Sequence, residues 1–147
     1  MSALKLVLWG FLAVFGSVSL AIVVGFVNPQ EKVNGLWLVV AAACIYVLAF
    51  RFYGRWISQR VVELNDQRVT PAVRLNDGVN FHPTNKYVLF GHHFAAIAGA
   101  GPLLGPVLAA QFGFLPGFLW LVIGAVLAGA VQDFIILVAS MRRNGRS

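Results

Sequence analysis

Residues 6–27 form a run of 22 residues without a charged side chain. As an α-helix at 1.5 Å per residue it is about 33 Å long, enough to cross a hydrocarbon core of roughly 30 Å. No water reaches peptide groups at that depth, so such a segment must close its own backbone hydrogen bonds, as a helix does. The run therefore selects an all-α membrane architecture for the chain around it. Its length exceeds the about 7–15 apolar residues of a secretory signal, and Val23, Gly25 and Phe26 offer no small-x-small cleavage site. The sequence predicts an uncleaved helix that ends at Asn28-Pro29.

Composition points the same way. The chain is 59% hydrophobic and 11% charged, with a mean hydropathy of +0.80, against roughly 45–50% and about 25% in a soluble domain. Disorder is excluded too, because it needs low hydrophobicity with high net charge. A second run spans residues 36–56. Trp37 at one end and Tyr53 and Trp56 at the other are placed as interfacial anchors. Arg51 and Arg55, four apart, snorkel from one face of that helix end. Two more apolar stretches cover residues 87–112 and 117–139. A short turn carries Glu31 and Lys32, which cancel. The polar stretch 57–86 reads as a loop, in which Val73-Arg74-Leu75 and Val79-Asn80-Phe81 flank Asn76-Asp77-Gly78 and predict a small β-hairpin.

The net charge of +6 is unevenly placed. Arg51, Arg55, Arg60, Arg68, Arg74 and Lys86 lie between the second and third runs, and Arg142, Arg143 and Arg146 follow the fourth. The turns at 28–35 and 111–117 hold one lysine between them. Positive charge collects on the cytoplasmic side. The asymmetry thus reads as topology rather than as a nucleic-acid surface: both termini and the loop 57–86 are cytoplasmic, and the chain makes four crossings. Cys44 is the only cysteine, which excludes an intramolecular disulfide or a CxxC metal site. It reads as a small buried apolar side chain.

The third crossing is irregular. Between residues 87 and 112 stand Gly91, Gly99, Gly101, Pro102, Gly105 and Pro106, too many breakers for one regular helix. Pro102 has no N–H for the carbonyl of Ala98, and Pro106 has none for that of Pro102. If one helix ends near Gly99 and another begins at Pro102, the N–H groups of Gly101, Leu103 and Leu104 face the gap as an anion site. The freed carbonyls make a cation site. The other reading is structural: Gly101 and Gly105 also spell GxxxG, a spacing used for close helix packing.

Asp133 is the sole acid inside an apolar run, next to Gln132. A charge at the bilayer centre costs at least ~2.5–3.5 kcal/mol, so Asp133 must face protein or water. Ala125 and Gly129, eight and four residues before it, form a narrow groove for another helix. Asp133 then serves as proton relay, coupling-ion ligand or counter-ion to an ammonium, or else pairs near the interface with Arg142 or Arg143. His92 and His93 are about 100° apart on a helix and cannot chelate one metal together. One of them can titrate as a proton carrier, or both are polar residues at the interface. No nucleophile motif, metal cluster or cofactor fingerprint is present, so neither an enzyme nor a cofactor protein is expected.

The run from Gly91 to Gln111, GHHFAAIAGAGPLLGPVLAAQ, closely resembles the signature of the carbon starvation protein A (CstA) family. So do Leu115-Pro116-Gly117, residues 128–134 (AGAVQDF) and residues 142–147 (RRNGRS). Thr70-Pro71-Ala72-Val73 with Asn76-Asp77-Gly78, and Leu36-Trp37, fit as well, so the resemblance covers nearly the whole chain. It implies bacterial cytoplasmic-membrane transporters that take up peptides during carbon starvation, with a related branch importing pyruvate together with protons. It also implies an inverted-repeat carrier fold. Family members are several times longer, and four helices cannot supply both halves of an inverted repeat. The expectation is thus a single transmembrane domain over residues 1–147, the amino-terminal part of a carrier. Its partners are the bilayer, a peptide or pyruvate with H⁺ or Na⁺, and the remaining carrier helices. The candidate substrate or ion site comprises Ala98, Gly99, Gly101, Pro102, Leu103, Leu104, Gly105, Gln132 and Asp133, with His92 and His93 as proton carriers and no metal.

Overall fold

The computed structural model describes residues 3–27, 29–30 and 34–146, and these are helical or irregular, with no strand among them. Six helices follow in order: α1 Ala3–Val23, α2 Gly35–Val61, α3 Pro71–Arg74, α4 Lys86–Ile97, α5 Ala100–Phe112 and α6 Phe114–Arg142. By length and composition α1, α2 and α6 can each cross a membrane, and α4 with α5 passes the same test as a pair bent by 49°. Glu31 and Lys32 lie outside the described residues.

Several limits differ from the expected ones, each for a local reason. The first helix stops at Val23 instead of Val27, because Gly25 takes φ +74°, open to glycine at little cost, and Phe26 N–H turns back to the Ala21 carbonyl at 2.9 Å. Asn34 starts α2 by accepting the Leu36 N–H at 3.0 Å. That helix runs past Trp56 to Val61 through two π-helical turns, Phe50–Gly54 and Ile57–Val61, and so buries Ile57 and Val62 against Val138. The loop therefore begins at Val62. The last helix runs from Phe114 to Arg142, since the turn before it needs only Gly113 at φ +101°.

The expected hairpin at 73–81 is absent. Pro71 starts the short helix α3, and Asp77 Oδ1 accepts the N–H groups of Val79, Asn80 and Phe81 at 3.0, 2.8 and 2.8 Å. Those are the donors a strand ladder would use, so an Asx-type loop replaces it. This loop is held to the end of α6. Arg142 donates to the Val62 carbonyl, Arg68 to the Arg142 carbonyl at 3.3 Å, and Arg74 to Asn144. Phe81 lies where a Cβ on Gly145 would stand, 2.9 Å from its Cε1.

Two seams join the long helices. Antiparallel α1 and α2 meet through Gly16, where an added Cβ would lie 2.8 Å from Cys44 Cβ, and further along Arg51 sits 5.7 Å from the Trp9 ring centroid. Gly16, Ser19 and Val23 form the buried stripe of α1, and Ser19 is satisfied by the Phe15 carbonyl at 2.8 Å. The second seam joins α2 to α6. Tyr46 donates to the Leu121 carbonyl at 3.4 Å, Ile57 packs with Val138, and Val62 accepts from Arg142. Contacts that advance together along both chains make α2 and α6 parallel. Even so, only 17%, 11% and 11% of the most apolar windows of α1, α2 and α6 are buried, so these helices present most of their surface outward.

Two consequences are measurable. Gly16→Leu places a side chain where none fits; overpacking of roughly 1–3 kcal/mol opens the α1–α2 seam. Cys44, 6% exposed, then reacts with a maleimide roughly tenfold faster than in the parent. The Asp77 carboxyl is held down to about 2 by the N–H of Phe81 first, then that of Val79, with Asn80 adding to them. Its stabilisation of the loop is complete above the unfolded value near ~3.9 and is lost as pH falls from about 4 toward 2. Protease cleavage between residues 62 and 85 rises over that window, and Asp77→Ala gives the same cleavage at pH 7.

Candidate functional site

The break lies between Ile97 and Ala100. Ala98 closes α4, with its N–H on the Phe94 carbonyl at 2.9 Å, and Gly99 is extended at φ −73°, ψ −174°, with no side-chain cap. A helix ending at Ile97 leaves its last carbonyls without intrahelical donors. The restart comes at Ala100, two residues earlier than expected, because proline is accepted within a first turn, where N–H groups are unpaired anyway. This corrects the donor set. Ala100 and Gly101 hold the free amino-end N–H groups and Pro102 has none, while Leu103 and Leu104 fall within reach of the Gly99 and Ala100 carbonyls. Pro106 lies inside α5 and denies the Pro102 carbonyl a partner.

Residues 94–105 are all exposed. A Cβ built on Gly101 or Gly105 meets nothing within 4 Å, so the GxxxG face is unoccupied by this chain's own described residues. Asp133 and Gln132 stand on α6, Asp133 half-buried and Gln132 exposed. Arg142 is engaged by the Val62 carbonyl. His92 and His93 belong to α4, above the break, with His92 exposed and His93 half-buried. No cluster of three or more His, Cys, Asp or Glu side chains suited to a metal occurs among the described residues.

A concavity lies elsewhere among the described residues. A groove of about 760 Å³ runs between α2 and α6. Ala49 and Gly54 floor it on α2, and Ala125 and Ala130 on α6, with Tyr46, Tyr53 and Phe134 among its apolar walls. Two of the π-helical turns face each other across it, Phe50–Gly54 and Ala125–Gly129. A π turn carries an extra residue, which shifts the side-chain rows that would otherwise interlock. Arg51, Arg55 and Ser58 line its end toward the arginine-rich loop. Sequence reasoning missed this groove, although it singled out Ala125. The signal available was the pairing of small residues at 49 and 54 with those at 125 and 130.

The chain is similar to known proteins along most of its length. The family model described as Carbon starvation protein CstA matches residues 34–147. The peptide transporter CstA of Escherichia coli (strain K12) is 57% identical over 143 residues, 97% of this chain and 20% of its own length. The pyruvate/proton symporter BtsT of the same strain is 58% identical over 139 residues, 95% of this chain and 19% of its own. The peptide transporter CstA of Bacillus subtilis (strain 168) is 58% identical over 114 residues, 78% of this chain. The chain thus spans about a fifth of the length of the curated relatives it matches. No solved structure matches it.

Proposed function

The chain belongs to the carbon starvation protein CstA family, and on that premise we propose that it forms the amino-terminal part of an ion-coupled carrier in the bacterial inner membrane. Peptides are the proposed substrates, after the names of most of the relatives, and pyruvate with a proton is the alternative, after the symporter. The observation that supports the reading best is the parallel run of α2 and α6. Two parallel crossings require the chain between them to return through the full bilayer, and the bent pair α4–α5 has the length and apolarity for that return. The reading has four crossings, with the third broken. In the same reading both termini and the loop are cytoplasmic, which the arginines gathered at the joined ends of α2 and α6 support.

In this reading the break at Ala98 and Gly99, continued through Gly101, Pro102, Leu103, Leu104 and Gly105, is the substrate and ion site. Ala100 and Gly101 turn free N–H groups to a carboxylate, and the carbonyls at the end of α4 receive H⁺ or Na⁺. Asp133 with Gln132 carries the coupling ion, and His92 or His93 relays protons. These groups lie open in this chain, so the remaining carrier helices complete the site as the facing part of an inverted repeat. A structural module that does not transport is the second reading, and the unoccupied Gly101–Gly105 face favours it.

Uptake of a radiolabelled peptide, and separately of pyruvate, by cells making a complete carrier that contains this segment distinguishes the two. Asp133→Asn and Gly101→Leu each lower uptake roughly tenfold or more, the effect of losing about 1.4 kcal/mol, at unchanged abundance in the membrane. Unimpaired uptake by both variants overturns the site and leaves the structural reading.

A further inference from the structure

We propose that a second, smaller hollow, between the last turns of α2 and α6, binds the headgroup end of an anionic phospholipid, with the phosphate on Arg142 and Arg143. The proposal rests on membrane insertion and on the contact between these two helix ends, and not on transport.

The hollow holds about 320 Å³. Val61, Val62, Ile135 and Ala139 contribute to its apolar wall, and Arg142 and Arg143 close its outer end. These residues are ordered along the helix axis. Ile135 stands seven residues before Arg142, about 10 Å nearer the bilayer centre. The apolar end thus meets the first methylenes of an acyl chain, and the guanidinium groups meet what lies outside them. A phospholipid has that same order of hydrocarbon, ester and phosphate, whereas an inorganic anion offers only the last.

The charge at the outer end is placed but not neutralised. Arg142 donates to the carbonyl of Val62, which lines the hollow with it, and Arg68 donates to the Arg142 carbonyl at 3.3 Å. Arg74 donates to Asn144, two residues further on. All three acceptors are neutral oxygens, and each guanidinium has five N–H donors. The Arg143 side chain makes no hydrogen bond or ion pair among the described residues. Three acids belong to the same loop. The Asp77 carboxylate is taken by the N–H groups of Val79, Asn80 and Phe81 and by the Asn80 side chain. Glu63 and Asp66 form no ion pair with these arginines among the described residues. A phosphate meets a guanidinium fork with charge-assisted bonds roughly twice as strong as neutral ones.

Depth selects a lipid. Phe114–Arg142 has 29 residues and Gly35–Val61 has 27, rises of about 42 and 39 Å against a hydrocarbon core of roughly 30 Å. Both helices outrun the core. On α2 the rings of Tyr53 and Trp56, stacked at 6.0 Å, stand at the interfacial level a short way before Val61. The hollow then lies in the headgroup layer, where basic pockets between membrane helices hold anionic headgroups.

The test is native mass spectrometry of the protein purified in mild detergent, together with any chains that accompany it, after addition of equal phosphatidylglycerol and phosphatidylcholine. The expected result is roughly tenfold more phosphatidylglycerol adduct. Arg142→Gln with Arg143→Gln brings it to the phosphatidylcholine level, and the charge-matched control Arg55→Gln with Lys86→Gln, outside the hollow, leaves it unchanged. Arg142 also holds the Val62 carbonyl, so two milder variants accompany the pair. Arg143→Gln alone lowers the preference roughly threefold, and Ala139→Leu, which fills the hollow at constant charge, lowers phosphatidylglycerol retention by about as much. An excess of inorganic phosphate leaves the adduct in place. Equal retention of the two lipids overturns the proposal, as does a preference lost equally in the control or kept in full by both milder variants. Displacement of the lipid by inorganic phosphate overturns it too, and makes the hollow a site for the free anion.

Discussion

The peptide group sets the terms for this protein. In lipid an unpaired N–H or C=O costs several kcal/mol, a large part of the about 5–15 kcal/mol that keeps a whole domain folded. Over α1, α2 and α6 the chain meets that demand by unbroken helix, with π turns where the ladder slips but continues. At Ala98 and Gly99 it does not: α4 ends, α5 restarts with a glycine and a proline in its first turn, and no side chain caps either end. A backbone of this kind persists inside a membrane only where protein or enclosed water covers it. Residues 94–105, which carry the break, are exposed among the described residues.

Small residues decide how the other helices meet. Gly16 lets α1 approach Cys44 closely enough that a methyl group would collide. Between α2 and α6, by contrast, Ala49, Gly54, Ala125 and Ala130 leave the helices apart, because the larger pairs above and below them, Tyr46 with Leu121 and Ile57 with Val138, hold the spacing. The same residue sizes produce contact in one seam and a groove in the other, according to what flanks them.

Most of this architecture was legible from residue order, and the gaps have physical causes. The 22-residue run, the aromatic anchors and the glycines and prolines of 99–106 report on lipid and on backbone directly, and the helical class and the bend appear where they pointed. Helix limits were less legible because they depend on caps and tertiary burial. Val61 stays helical since Ile57 and Val62 find Val138, a partner about 80 residues away. Residues 73–81 have a strand-like alternation, yet Asp77 takes their N–H groups for itself. The family was legible in the run from Gly91 to Gln111, which is longer than chance repeats. The site was legible only as candidates, since residues 94–105 are exposed and Asp133 only half-buried among the described residues.

Packing also divides the chain mechanically. The ends of α2 and α6 are tied by Ile57, Val62 and Val138, by Arg142 on the Val62 carbonyl, and by the loop that Arg68 and Arg74 bind to the end of α6. Pulling these helices apart breaks an apolar cluster and the charge-assisted hydrogen bond from Arg142 to the Val62 carbonyl, the latter worth about 1.5–3 kcal/mol. The bent pair is held differently. Residues 94–105 are all exposed, and α5 touches α6 where Gly117 meets Ala109, an approach that a glycine keeps loose, with ordinary 3.7 Å contact for an added Cβ. In this segment the cohesive part is the α1–α2–α6 frame, and the bent pair that carries the break is tied to it least.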